Sequence, residues 1–230
     1  MKKRIFSFVL FSAMLLSLCL FTLSCGENSK INSAIEKTRD LDSMNADVYI
    51  AVDGYLGSDY ISTDIKQAVS INGGRATISI TKGDEKPKQV VFDGESVRVT
   101  ENGKSHTENA QEYMSKNGGY KELTQGLLIS LHSSFFEDSE YEASGNKQQL
   151  ELSIEEGLLP NVYSELWESI LTVLASRGHD VKELVAGKCD VSISTYDGYA
   201  TRIILDFTLD NSDISLDVRI GLYVSDPQIN

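Results

Sequence analysis

The feature that most constrains the fold is a two-residue period of apolar side chains near the carboxyl end. Apolar residues occupy every second position from Ile203 to Leu209 and again from Ile214 to Val224. This period is typical of a strand with one buried face. The segments are joined by the short turn Asp210-Asn211-Ser212. Strands joined so tightly are antiparallel, because a parallel pair needs a crossover of about a dozen residues. The sequence therefore predicts a hairpin whose apolar face must be covered.

The same period recurs in the first half of the chain. Asn72-Gly73, Asp93-Gly94 and Asn102-Gly103 are hairpin signals between short apolar runs. A five-strand antiparallel meander is therefore predicted. Its apolar runs lie in residues 46–52, 63–71, 76–80, 90–92 and 97–99.

The middle of the chain interrupts the strands. Leu158 to Arg177 is its most helix-like segment, with apolar residues at the i, i+4, i+7 and i+8 spacing of a helix that buries one face. Pro160 suits the first helical turn, and Gly178 follows the end. Shorter helices are predicted at 31–41, 110–114 and 123–135, and short strands at 150–154 and 189–193.

Together these elements predict one α+β domain. About nine strands have one apolar face each, and such faces have to be covered by helices or by a second sheet. No alternation of strands and helices is visible, which disfavours an α/β solute-binding fold. The predicted fold is a curved antiparallel sheet, a half-barrel, wrapped around a few helices.

The amino terminus is typical of an export signal. Basic residues at 2–4 precede an apolar run from Ile5 to Leu23, and Ser24-Cys25-Gly26 follows. We predict a lipoprotein signal peptide at 1–24, a lipidated tether at 25–30 and the folded domain at 31–230. An uncleaved anchor is the alternative, since the apolar run is nearly long enough to cross a bilayer.

Residues 21–26, FTLSCG, resemble the lipobox of bacterial lipoproteins, with Thr22 where leucine is commoner. In that motif the cysteine thiol receives a diacylglyceryl group and the cysteine becomes the new amino terminus. The resemblance implies that Cys25 attaches the protein to a membrane through acyl chains. Cys19 follows the bulky Leu18 and is the weaker candidate. The implied location is the cell envelope, facing the periplasm or the exterior.

Charge and motif content exclude several functions. A net charge of -13 repels the phosphates of nucleic acids. The turn at 102–105 lacks the glycine and the helix of a phosphate-binding loop, and the three histidines lack metal-ligand spacing. Cys189 is in the apolar phase of its strand, which favours a small buried residue over a reactive thiol. We predict a protein that is not an enzyme and that uses no metal or cofactor.

The order of a helix, a meander, a helical insert and a second meander behind a lipobox resembles the LolA/LppX lipoprotein-carrier superfamily. The resemblance covers roughly residues 29–230. It implies an apolar cavity for acyl chains between the sheet and its helices. The residues that we expect to line this cavity are Leu166, Trp167, Ile170, Ile203, Leu205 and Ile220.

Two functions follow. The first is binding of a lipid or another apolar ligand in that cavity. The alternative is a packed interaction or sensor module that binds another envelope protein. Trp167 is a cavity wall in the first function and a core residue in the second. Tyr49 and Tyr55, on the outward phase of the first strand, are either ordinary surface aromatics or part of a contact surface.

Overall fold

The computed structural model describes residues 29–83, 85–117, 120–121, 124–131 and 136–225. The predicted signal segment and Cys25 lie outside these residues, as do Leu123 and Phe135. The described residues form one antiparallel sheet of twelve strands. The strands are β1 (Ser43–Leu56), β2 (Asp59–Asn72), β3 (Arg75–Lys82), β4 (Lys88–Asp93), β5 (Ser96–Glu101), β6 (Lys104–Asn109), β7 (Phe136–Ser144), β8 (Lys147–Ile154), β9 (Val185–Ala186), β10 (Cys189–Tyr196), β11 (Tyr199–Asp210) and β12 (Ile214–Ser225).

The sheet is open. Its spatial order is β6-β5-β4-β3-β2-β1-β12-β11-β10-β8-β7, and β9 pairs with one end of β11. β6 and β7 are the two ends of this order, so the sheet does not close into a barrel. The predicted α+β class is confirmed, and the architecture fits the predicted half-barrel.

The helices of the described chain are few and short. They are α1 (residues 29–39), α2 (Ala110–Asn117), α3 (Leu159–Val162) and α4 (Ser164–Ser176), with a 3-10 turn at Gln125–Leu127.

The two faces of the sheet differ in chemistry. We call inner the face on which Leu205 of β11 lies opposite Ile220 of β12, both of them buried. Tyr113 of α2 contacts Phe92 on this face, with ring centroids 5.7 Å apart. The helices thus cover the inner face. The opposite, outer face carries mostly polar side chains, as the two-residue period requires.

Polar contacts fix α1 to the rest of the fold. The Asn32 side chain donates to the carbonyl of Leu131 at 2.8 Å and accepts the N–H of Leu131 at 2.9 Å. The Thr38 hydroxyl donates to the carbonyl of Ala34 at 2.8 Å and accepts the N–H of Ala200 at 2.8 Å. The helix nearest to the predicted lipid attachment is therefore part of the folded domain.

Three strands were not predicted, so about nine becomes twelve. β6 places Lys104, His106 and Glu108 at its inner-face positions and therefore shows no apolar period. β7 shifts register against β8 between Phe136 and Ser139. β9 has two residues, which is too short for any period to show.

Two helical predictions also change. The helix predicted at Leu158–Arg177 is interrupted at Tyr163, whose backbone has φ -117° and ψ 57°. The apolar stripe runs through this break, because the Tyr163 side chain is itself buried, and periodicity alone cannot reveal it. In the described part of the segment predicted as a helix at 123–135, only the 3-10 turn is helical.

Candidate functional site

The predicted cavity residues lie together in one apolar cluster that joins the sheet to the helices. Leu205 is 0% exposed and Trp167 is 9% exposed, whereas Ile170 is partly buried at the margin of the cluster. The structure thus brings the six residues into the same interior. That a cavity separates them stays a prediction.

The cover over this interior is incomplete along part of β1, β2 and β3. On β1 the inner-face residue Val48 is fully buried, but Ile50 and Val52 are only partly buried. Partly buried inner-face residues also occur on β2 and β3, the next two strands on one side of β1. We call these partly buried residues the open strip. It consists of Ile50, Val52, Ile61, Ile65 and Ile80.

The residues of the adjacent strand β12 that lie opposite the open strip are buried. Ile50 lies opposite Ile220, and Val52 lies opposite Val218. Ile220 is 3% exposed and Val218 is 7% exposed, so the interior is closed above β12 at the same level. At the level of Ile50 and Val52, the cover therefore stops between β12 and β1.

Two tyrosine hydroxyls are buried on the inner side without partners. Tyr163 lies at the break between α3 and α4, and Tyr141 lies opposite Leu150 on the inner face. Neither hydroxyl has a hydrogen-bond partner in the part of the chain that the structure describes. Burial raises the pKa of Tyr163, so this hydroxyl stays protonated and able to donate. The interior thus has unused polar groups in an apolar setting.

The outer face carries exposed aromatic pairs. The ring centroids of Tyr49 and Tyr223 are 5.5 Å apart, and those of Tyr55 and Tyr60 are 5.2 Å apart. The Tyr60 hydroxyl donates to the Asp53 carboxylate at 2.9 Å, and this bond raises the pKa of Tyr60. Tyr49 and Tyr55 are exposed, as their outward phase predicted.

Other chemistry-bearing groups are dispersed. Burial raises the pKa of the Cys189 thiol to about 12, so it stays protonated at neutral pH. The Nδ1 atom of His179 lies 3.5 Å from a carboxylate oxygen of Asp213. Within the described residues, no group of three or more His, Cys, Asp or Glu side chains is placed to hold a metal ion. None of the helices in those residues is long and apolar enough to cross a membrane.

The open strip was not predicted, although the sequence contains a signal for it. Ile50, Val52, Ile65 and Ile80 lie in predicted apolar runs and Ile61 lies outside them, but those runs are predicted to be covered along their whole length. Lys82 and Lys88 continue the same phase at the ends of β3 and β4. A lysine in the apolar phase of a strand indicates that the cover ends nearby, because a charged side chain avoids full burial.

In the comparisons with known proteins, only solved structures match the chain. No family model and no curated protein matches the chain. The chain is similar to the Mycobacterium tuberculosis lipoprotein LppX, with 14% identity over 87% of this chain and 93% of LppX and a TM-score of 0.45. It is also similar to LprF from Mycobacterium bovis (9% identity over 87% and 92%, TM-score 0.40) and to a LolA superfamily protein from Nitrosomonas europaea (10% identity over 87% and 91%, TM-score 0.33). These proteins include those that the sequence resemblance named. What this chain binds has to follow from its own residues.

Proposed function

We propose that this protein is a membrane-anchored lipoprotein of the cell envelope that binds a lipid or another apolar ligand between its sheet and its helices, without catalysis. The open strip is the observation that supports this function. Apolar side chains left partly buried beside a closed core are typical of a site for an apolar partner. The strip leads into the cluster that contains Leu166 and Trp167.

The buried hydroxyls of Tyr141 and Tyr163 support the same function. A buried polar group without a partner costs roughly 1–3 kcal/mol. A ligand whose chain carries an ester or carboxyl oxygen would accept a hydrogen bond from either hydroxyl and recover part of this cost. The interior therefore suits a ligand that is mainly apolar with one or two acceptor oxygens.

The direct test is native mass spectrometry of the protein starting at Gly26 and produced without detergent. This version retains every described residue and hence the complete core cluster. A bound lipid is expected as added mass, and Trp167 fluorescence is expected to shift when a fatty acid is added to lipid-free protein. Protein that carries no lipid and gives no fluorescence response would contradict the proposal.

Paired variants locate the site. Ile65→Asp places a charge in the open strip and should lower the amount of co-purified lipid. Ala68→Asp is the matched control, because Ala68 is exposed on the outer face of the same strand. Trp167→Ala should lower lipid content more than melting temperature if Trp167 lines existing space, since a packed site would lose about 3–5 kcal/mol. Equal lipid loss in the two Asp variants would exclude the strip.

Anchoring is tested separately at Cys25, which we propose as the lipid attachment site following a signal at 1–24. Cys25→Ala should abolish both acyl labelling and signal cleavage, because the thiol is the acceptor of the lipid. Cys19→Ala is the control and should leave both unchanged. Metabolic labelling with a fatty acid measures the outcome, and labelling that persists in the Cys25 variant would contradict this assignment.

The outer-face tyrosines favour the alternative function, an interaction module for another envelope protein. Tyrosine is enriched at protein interfaces, because it combines apolar area with a polar end. Site-specific photocrosslinking from position 49 in cells should then trap one partner, and a crosslinker placed at exposed Asp59 should not. Lipid-free protein together with a specific crosslink at position 49 would put this function first.

A further inference from the structure

Lysines lie beside the open strip. In the strand register Lys82 of β3 lies opposite Ile65, and Lys88 of β4 lies opposite Ile80. Both lysines therefore occupy inner-face positions directly next to strip residues. The Lys88 ammonium lies 5.5 Å from the ring centroid of Tyr113, a contact that draws this charge toward the helix side of the sheet.

This local charge is opposite in sign to that of the protein. The chain has 34 acidic and 21 basic residues, so an average patch of its surface is acidic. Near this end of β3, β4 and β6, the described inner-face positions are occupied by Lys82, Lys88 and Lys104. One acidic residue, Glu101 of β5, lies opposite Lys104 on the same face. None of these lysines forms an ion pair within the described residues. Within the described residues, Lys82 and Lys88 thus border the apolar strip without an ion-pair partner, on a protein that is acidic overall.

We propose that the ligand is an acyl chain ending in a carboxylate, with the chain over the open strip and the carboxylate beside Lys82 and Lys88. This inference rests on the proposed function, since a chain has to bind before its head group can be selected. Burial of the chain supplies most of the affinity. The lysines supply the choice of head group, because charge complementarity contributes mainly to specificity.

Three probes of equal chain length test the head group: dodecanoate, dodecanol and dodecyltrimethylammonium. Each is titrated into lipid-free protein starting at Gly26, with Trp167 fluorescence or calorimetry as the readout. At physiological salt the Debye length is about 8 Å, so the net charge of the whole protein is largely screened and nearby charges dominate. We expect dodecanoate to bind roughly three- to ten-fold more tightly than dodecanol, as two exposed charge pairs allow, and the cation to bind most weakly.

Charge reversal separates the two proposals. The double variant K82E/K88E should invert the order of the charged probes and leave dodecanol binding unchanged. K30E/K147E is the matched control, because both lysines are exposed and lie outside β1 to β4, and it should keep the wild-type order. Equal binding of the three probes, unchanged in K82E/K88E, would overturn the head-group inference and leave apolar binding intact. If no probe binds the wild-type protein, both proposals are overturned.

Discussion

Tyr163 shows at the scale of one residue how the interior departs from a fully satisfied core. Its side chain is 1% exposed, yet its hydroxyl has no partner in the described part of the chain. We expect Tyr163→Phe to raise the free energy of unfolding of lipid-free protein by about 1 kcal/mol or more, because the variant no longer buries an unsatisfied hydroxyl. Urea denaturation measures this change.

The control is Tyr60→Phe, which removes an exposed hydroxyl that does have a partner, Asp53. That variant should change stability little and in the opposite direction. A loss of stability in Tyr163→Phe would show that the hydroxyl is already bonded, for instance to a water.

Leu205 and Asp217 test the assignment of faces. Leu205 is 0% exposed on the inner face, so Leu205→Asp buries an unpaired charge and should unfold the domain or destabilise it by several kcal/mol. Val218→Asp should act in the same way. Asp217 is exposed on the outer face directly opposite Asp53, a like-charge pair. Asp217→Asn should therefore be neutral or stabilising by about 0.2–1 kcal/mol.

Asp206 needs a different expectation from Asp217, although both belong to the outward phase. The Asp206 carboxylate accepts two hydrogen bonds from the Arg219 guanidinium, at 2.6 Å and 2.9 Å. Asp206→Asn should therefore cost about 0.2–1 kcal/mol, as exposed ion pairs do. Circular dichroism during thermal unfolding ranks these variants. Similar melting of Leu205→Asp and Asp217→Asn would contradict the register.

At the scale of elements, the contact between α1 and the β10–β11 hairpin depends on Thr38. Thr38→Val keeps the side-chain shape but leaves the buried N–H of Ala200 without an acceptor. The expected loss is about 1–3 kcal/mol of unfolding free energy. Thr172→Val is the matched control, because Thr172 is exposed on α4. Equal effects in chemical denaturation would mean that α1 adds little to the fold.

The strands show which elements a sequence can reveal. β11 and β12 were predicted because one face of each is buried along its whole length, which imposes the two-residue period. β6 was missed because an edge strand with solvent on its inner side needs no apolar residues. The break at Tyr163 was missed because burial of one face continues across it. The period of apolar residues therefore indicates which side chains are buried. It indicates backbone geometry only where that geometry determines which side chains are buried.

At the scale of the whole molecule, buried acids make the fold sensitive to alkali. Burial raises the pKa of Cys189 from its ordinary value of 9.0 to about 12 and that of Tyr113 from 10.0 to about 12. Between about pH 9 and pH 12 the unfolded chain therefore binds fewer protons than the folded one. The contribution of these groups to the free energy of unfolding is complete below about pH 9 and falls as the pH rises through this window.

Urea midpoints measured from pH 8 to pH 11 test the alkaline loss. The midpoint should begin to fall near pH 9 in the wild-type protein. In Cys189→Ala the onset should move toward pH 10, because only the tyrosines then titrate. A midpoint that stays constant up to pH 11 would mean that these groups ionise inside the folded protein.

The sequence by itself determined the α+β class, the antiparallel pairing and most inward-facing residues. Each of these depends on local properties, namely residue period and turn length, which are visible within about ten consecutive residues. The inward orientation of Ile203, Leu205 and Ile220 follows for the same reason. Only the tertiary structure decided where the cover ends, because Ile50 and Val48 have the same phase and chemistry. Which of them is buried depends on where the covering segments come to lie across the sheet, and that placement is set by contacts between residues far apart in the chain.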